Sequence, residues 1–187
     1  MNMVDLLWFD VKDVAAGKTL AKTSNPIPVT FRHALCRVTF LLSDPEGHYQ
    51  FKKVKLTGLV NEGTFYSGNT AGWMPQLTED KLEDYDLMIG AQNDTPNAFR
   101  TKDLYIIPQY LDGIFPTMGE IVDYGVDVAL KFTVEDGFGS QEIEILLKDY
   151  TERWEIGKYY QYTITATANQ IDFGAPEINV LPQITAM

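Results

Sequence analysis

Cysteine and histidine are nearly missing from this chain of 187 residues. Cys36 stands alone, so an intramolecular disulfide, a cysteine zinc cluster and an iron–sulfur cluster are all excluded. It lies in a β-rich segment between Leu35 and Val38 and reads as a small buried hydrophobe rather than a reactive thiol. His48 falls in the turn Asp44-Pro45-Glu46-Gly47-His48 and reads as solvated. His33 sits on a strand near Phe31, as either a base or ligand or a core-edge imidazole with a backbone partner. With no paired serine, cysteine or second histidine motif, the structural role is favoured. No Walker loop, dinucleotide fingerprint or GxSxG elbow occurs. No apolar run approaches the roughly eighteen residues of a membrane-crossing helix. The stretch Met1 to Asp5 has neither the basic start nor the apolar body of a secretory leader. A cytoplasmic protein, or one whose export segment is not in this sequence, is therefore expected. Positive charge is scarce too. Lys and Arg number 15 against 26 Asp and Glu, a net charge of −11 that repels phosphate backbones and argues against a nucleic-acid partner.

What the sequence has is alternation. Hydrophobic residues at 45% and charged residues at 22% suit a globular protein able to bury a core. Val122, Tyr124, Val126, Val128, Leu130, Phe132 and Val134 share one parity, which predicts a single long strand with one buried face in an antiparallel sheet. Asp136-Gly137 then predicts a turn, with Ile143, Ile145 and Leu147 on the returning strand of a hairpin. Tyr160, Tyr162, Ile164 and Ala166 predict another strand, as do Val54 with Leu56, and Leu104 to Ile107, stopped by Pro108. Across 29–42 the parity shifts, so a bulge or break is expected near Ala34–Cys36. Residues 78–89, dense in acids, read as a surface loop with one helical turn, and 91–102 as a loop. The expectation is an all-β, antiparallel two-sheet β-sandwich with Greek-key connections and at most one or two short helical turns. It forms one domain over 1–187, with an N-terminal strand and loop over 1–28 and a C-terminal tail or strand over 174–187.

Groups with chemical potential are few. The acidic stretch 79–86 lacks the ordered spacing and central glycine of a calcium loop and reads as a solvated face. A carboxylate pair of the glycosidase kind rests on abundance alone. Trp8, Phe9, Trp73, Tyr159, Tyr160 and Tyr162 fit either a sugar-stacking platform or, as is commoner for aromatics at strand spacing, core and cross-strand pairs. No catalytic set, metal site or cofactor is implied.

Three clusters carry a resemblance. They are Phe31-Arg32-His33-Ala34-Leu35, then Leu104 to Gln109 ending in Pro-Gln, then Trp154-Glu155-Ile156-Gly157-Lys158-Tyr159-Tyr160-Gln161-Tyr162-Thr163-Ile164. In this order, with Asp5-Leu6-Leu7-Trp8 ahead of them, they resemble the fimbrillin-like family of anaerobic gut and oral bacteria, the subunits and accessory proteins of surface fimbriae. The resemblance implies a non-catalytic surface protein, lipoprotein export, outer-membrane anchoring and two sandwich domains. This chain matches the C-terminal one and shows no lipobox cysteine near its start. The partners implied are other fimbrial subunits, joined by β-strand exchange. Ile178, Val180 and Ile184 of the tail are candidate donor residues, the strand Asp5–Val11 is a second candidate, and pairing of both ends within their own sheet is the plainer alternative. A different class of function is an adhesin or glycan-binding module that meets a host or bacterial surface glycan or protein through loop aromatics such as Trp73 and Tyr110.

Overall fold

The computed structural model describes residues 5–9, 29–67, 71–75, 82–87, 89–92, 98–116, 121–123, 125–168 and 170–186. Strands β1 (Leu7–Trp8), β2 (Val29–His33), β3 (Cys36–Ser43), β4 (Gln50–Val60), β5 (Gly63–Tyr66) and β6 (Gly72–Pro75) occupy the first part. Next come β7 (Leu82–Asp86), β8 (Ile89–Gln92), β9 (Ala98–Thr101), β10 (Leu104–Ile106), β11 (Ile114–Pro116) and β12 (Ile121–Asp123). The last are β13 (Ala129–Glu135), β14 (Ser140–Leu146), β15 (Lys158–Thr167), β16 (Gln170–Phe173), β17 (Glu177–Val180) and β18 (Ile184–Ala186). The one helical feature among the described residues is a 3-10 turn at Leu147–Asp149.

Two sheets face each other. One has the order β16-β15-β3-β9-β8, with β10 also on β3 and β17 also on β15; the other runs β14-β13-β4-β7. Val38, Phe40 and Leu42 of β3 and Tyr160, Tyr162 and Ile164 of β15 meet Phe51, Val54 and Leu56 of β4 and Leu130, Phe132 and Val134 of β13 in one buried core. The chain passes repeatedly from sheet to sheet, as Greek-key connections do. This is the all-β sandwich that the alternation predicts. One pairing differs from the expectation: β3 and β15 run parallel, from Tyr159 beside Arg37 to Thr165 beside Ser43. A parallel pair needs a long crossover, and here the whole facing sheet lies in sequence between the two strands.

The hairpin of β13 and β14 has its turn at Asp136–Gly139, where the Asp136 carboxylate accepts the N–H groups of Phe138 and Gly139, both at 2.8 Å. The parity shift is a bend at Ala34–Leu35 between β2 and β3. Three expectations fail for identifiable reasons. The long strand over 122–134 is two strands, β12 and β13. The Asp123 carboxylate accepts the N–H of Gly125 at 2.8 Å, and Gly125 takes φ of 63°, turning the chain out of the sheet and leaving Val126 exposed. Residues 82–86 form β7 rather than a helical turn, with Tyr85 packed against the core and Asp84 and Asp86 exposed, a period of two hidden by the acids. The predicted loop over 91–102 contains β9, because Ala98 and Thr101 are buried and the Thr101 hydroxyl accepts the Phe40 N–H at 3.0 Å. Residues 78–81, 88 and 93–97 of those two predicted segments lie outside the described residues.

Candidate functional site

The three sequence clusters converge at one end of the sandwich. Pro108 ends β10, and the Gln109 side chain turns inward, 3% exposed. Its Oε1 accepts the Val60 N–H at 3.0 Å and its Nε2 donates to the Ile107 carbonyl at 3.1 Å, with the Val60 carbonyl at 3.5 Å. A side-chain amide thus takes the place of a strand neighbour at Val60, past Thr57 where the ladder of β4 with β13 ends, while β7 pairs the other edge. The Gln109 carbonyl accepts the Trp154 N–H at 2.8 Å. Trp154 is buried, and its Nε1–H donates to the Tyr162 hydroxyl at 3.0 Å. The Glu155 N–H donates to the Tyr160 hydroxyl at 2.8 Å, and Lys158 holds the Glu155 carboxylate at 2.6 Å, keeping that acid below its ordinary range. Gly157 adopts φ of 68°, a left-handed turn that suits glycine, and its N–H donates to the Leu35 carbonyl at 3.1 Å. Burial pushes the Tyr160 hydroxyl up to about 12 and the Tyr162 hydroxyl and Cys36 thiol up further. The Cys36 thiol donates to the Ile106 carbonyl at 3.2 Å, so burial keeps it a protonated, inert group.

The chain ends attach around this knot. Leu181 donates its N–H to the Gly157 carbonyl at 2.8 Å, and Ala34 donates its N–H to the Leu6 carbonyl at 2.7 Å. β2 is the centre of a three-stranded sheet with β1 and β18 as its outer strands. His33 ties them: Nδ1 lies 2.5 Å from the Asp5 carboxylate and Nε2 lies 2.8 Å from the Pro182 carbonyl. It is a core-edge imidazole with a backbone partner, and it has an acidic one besides. The tail pairs within its own chain. β17 runs along β15 with Ile178 opposite Tyr160, and β18 runs along β2 with Ile184 opposite Phe31. Residues opposite each other share a face, so Ile178 and Val180 sit on the core-facing side of the sheet, yet they are 50% and 77% exposed. Ile184 is 47% exposed. Of the second candidate strand, β1 is the part described with strand geometry, and Asp10 and Val11 lie outside the described residues.

The six aromatics of a supposed platform do not assemble. Tyr160 and Tyr162 are buried, and Tyr159 lies under the Arg37 guanidinium, 4.3 Å from ring centre to cation. Phe9 packs edge-on against Phe31 at 5.6 Å. Trp8 and Trp73 flank Phe65, at 5.6 and 5.3 Å. Tyr110 forms a bridge with Arg153, whose guanidinium donates to its hydroxyl at 2.9 Å and lies 5.6 Å from its ring centre. Trp73 is anchored through its Nε1–H to the Ala34 carbonyl at 2.6 Å and lines a cleft of about 410 Å³. Asn61, Glu62, Tyr85 and Tyr105 line the same cleft. The sequence singled out Trp73 alone of this group. Tyr85 was hidden in the acidic stretch and Tyr105 in a run that reads as pure core. Among the described residues no cluster of three or more histidine, cysteine or acidic side chains could hold a metal. The buried acid Asp44 spends its carboxylate on the N–H groups of Glu46, Gly47 and Tyr49.

The motif residues bond to one another within an all-β sandwich. Residues 2–180 match the fimbrillin-like family, and the chain belongs to it. No curated protein matches the sequence. Among solved structures, a "putative cell adhesion protein" from Bacteroides uniformis ATCC 8492 is 16% identical with a TM-score of 0.53, over 82% of this chain and 53% of that one. A second so described, from Bacteroides ovatus ATCC 8483, is 16% identical with a TM-score of 0.49, over 81% and 47%. The tip fimbrial protein Mfa3 from Porphyromonas gingivalis, with C-terminal truncation, is 11% identical with a TM-score of 0.41, over 80% and 52%. The chain therefore spans about half the length of these solved proteins, and the first of them shares its fold. Family membership supports a fimbrial structural or adhesion protein of the cell surface.

Proposed function

We propose that this chain is a non-catalytic structural or accessory subunit of a bacterial fimbria, held at the outer membrane surface and joined to other subunits by exchange of β-strands. The observation that supports this reading is the state of the C-terminal edge. Ile178 and Val180 present half-exposed and mostly exposed apolar side chains on the core-facing side of β17, and β18 is held to β2 by a short ladder from Ile184 to Ala186. An edge strand of this kind offers unpaired backbone groups and alternate side chains to a neighbouring chain. The three-stranded sheet gives a lane of the right width: β2 keeps its place while either short outer strand is replaced by an equivalent one from a second subunit.

The experiment removes residues 178–187 and adds a synthetic peptide of residues 177–187 in trans. The expected result is a less stable chain that binds the peptide and regains its lost stability, with self-association altered by the deletion. An unchanged fold and unchanged self-association would remove the tail from the mechanism.

A further inference from the structure

We infer that the cleft beneath the β5–β6 hairpin is a binding site for a neutral sugar residue, a function separate from strand exchange. The cleft is bordered by the end of β4, Gly63 and Trp73 of the hairpin, Tyr85 of β7 and Tyr105 to Ile107. Its volume of about 410 Å³ lies within the range of small-molecule sites. Trp73, Tyr85 and Tyr105 give it aromatic surface, and Asn61 and Glu62 give it a polar side. A hexose has the matching two-sided chemistry, with axial C–H groups that pack on an aromatic face and hydroxyls that need fixed polar partners.

Three observations favour this occupant. First, Trp73 is held by its Nε1–H on the Ala34 carbonyl and by Phe65 behind it, so the ring is positioned before any ligand arrives. A ring fixed in advance loses little freedom on binding. Second, the Asn61 Oδ1 is shut from solvent with no hydrogen-bond partner. Turning the amide toward the cleft to accept a ligand hydroxyl satisfies that oxygen, which an apolar ligand cannot do. Third, no lysine, arginine or histidine is among the described residues that line the cleft, while Glu62 is, in a chain of net charge −11. An acidic sugar, a nucleotide or a phosphate meets no cation among these residues, and a neutral saccharide needs none.

The test titrates the full chain with the methyl glycosides of glucose, galactose, mannose and N-acetylglucosamine, read by tryptophan emission and saturation-transfer NMR. A site that holds one sugar ring predicts a Kd of roughly 1 mM for at least one of the four. Asn61→Leu weakens that affinity about tenfold or more without lowering the melting temperature, because the amide oxygen it removes is unpaired. Tyr105→Leu weakens it as well, and Tyr110→Ala, away from the cleft, leaves it unchanged. No saturation with any of the four up to about 50 mM overturns the proposal, as does binding that Asn61→Leu leaves intact or that Tyr110→Ala abolishes. The tail deletion leaves the cleft residues in place, so this result and the strand-exchange result are read independently.

Discussion

Replacing Gln109 by leucine tests whether one amide fastens the end of the sandwich. In the native chain its Oε1 holds the Val60 N–H at 3.0 Å, and its Nε2 holds the Ile107 carbonyl at 3.1 Å with the Val60 carbonyl at 3.5 Å. Leucine has nearly the same volume, so Gln109→Leu leaves little cavity and isolates the polar loss. Two well-formed bonds go, and two buried backbone groups lose their partners, each costing about 1–3 kcal/mol. The leucine recovers about 1 kcal/mol from its added apolar surface. The net expectation is a loss of about 2–4 kcal/mol, a large fraction of the roughly 5–15 kcal/mol that holds a typical domain. Urea unfolding followed by tryptophan emission and circular dichroism measures it, and Trp154, whose N–H rests on the Gln109 carbonyl, is a local reporter. Gln109→Glu keeps the acceptor for Val60 but turns a second oxygen on two carbonyls, so it destabilises at neutral pH and recovers part of the loss when the acid is protonated. A loss below about 1 kcal/mol for Gln109→Leu, with an unchanged denaturant slope, would refute the reasoning.

Other outcomes follow from the same knot. Trp154→Phe keeps an aromatic ring but removes part of the buried indole and the Nε1–H that the Tyr162 hydroxyl accepts at 3.0 Å, so a lost bond and a small cavity together give an expected loss of about 2–4 kcal/mol in the same assay. Gly157→Ala meets no steric wall, since an added Cβ would lie 3.7 Å from the His33 carbonyl at its nearest, so its cost is the left-handed backbone alone, about 1–2 kcal/mol in melting or urea experiments. Alkaline titration should withdraw stability from about pH 10 upward. The Tyr160 hydroxyl rises from 10.0 to about 12 on folding, so between those values the unfolded chain has lost a proton that the native chain keeps. Stability therefore falls with rising pH, by about 2–3 kcal/mol from this group once its folded value is passed, and Tyr160→Phe removes that share of the slope.

The fold was legible wherever one face of a strand is buried and its pairing is local. Val128, Leu130, Phe132 and Val134 announced β13, Asp136-Gly137 announced its turn, and the parity change at Ala34–Cys36 announced the bend. Legibility ended where a side chain acts on the backbone. The Asp123 carboxylate that bends the chain at Gly125 leaves the alternation intact in sequence while breaking it in space. It also ended where charge masks periodicity, as in β7, and where partners are distant, as in the parallel pairing of β3 with β15. Trp73 was legible as a candidate ligand contact because it is an aromatic outside the clear strands. Tyr105 was not, since in Leu104 to Ile107 nothing in the sequence separates a residue facing a cleft from its buried neighbours.

The placement of the knot bears on the proposed exchange of strands. The bond between Gln109 and Val60 joins the two sheets, and the bonds between Leu35 and Gly157 and between Gln109 and Trp154 tie together the segments that flank β3, β10 and β15 within one of them. The terminal strands attach to the rim of that knot, β1 through Ala34 and β17 with β18 through the Gly157 carbonyl and β2. The side chains of β17 are exposed and those described for β1 and β18 are partly so, so less apolar burial is lost when one leaves than when a core strand does. His33, bonded at once to Asp5 and to the Pro182 carbonyl, couples the two ends directly. Opening of either end is then a local event of low cost, below the free energy of global unfolding. The core and the knot can remain folded while a strand is replaced, which is the physical condition that exchange between neighbouring subunits requires.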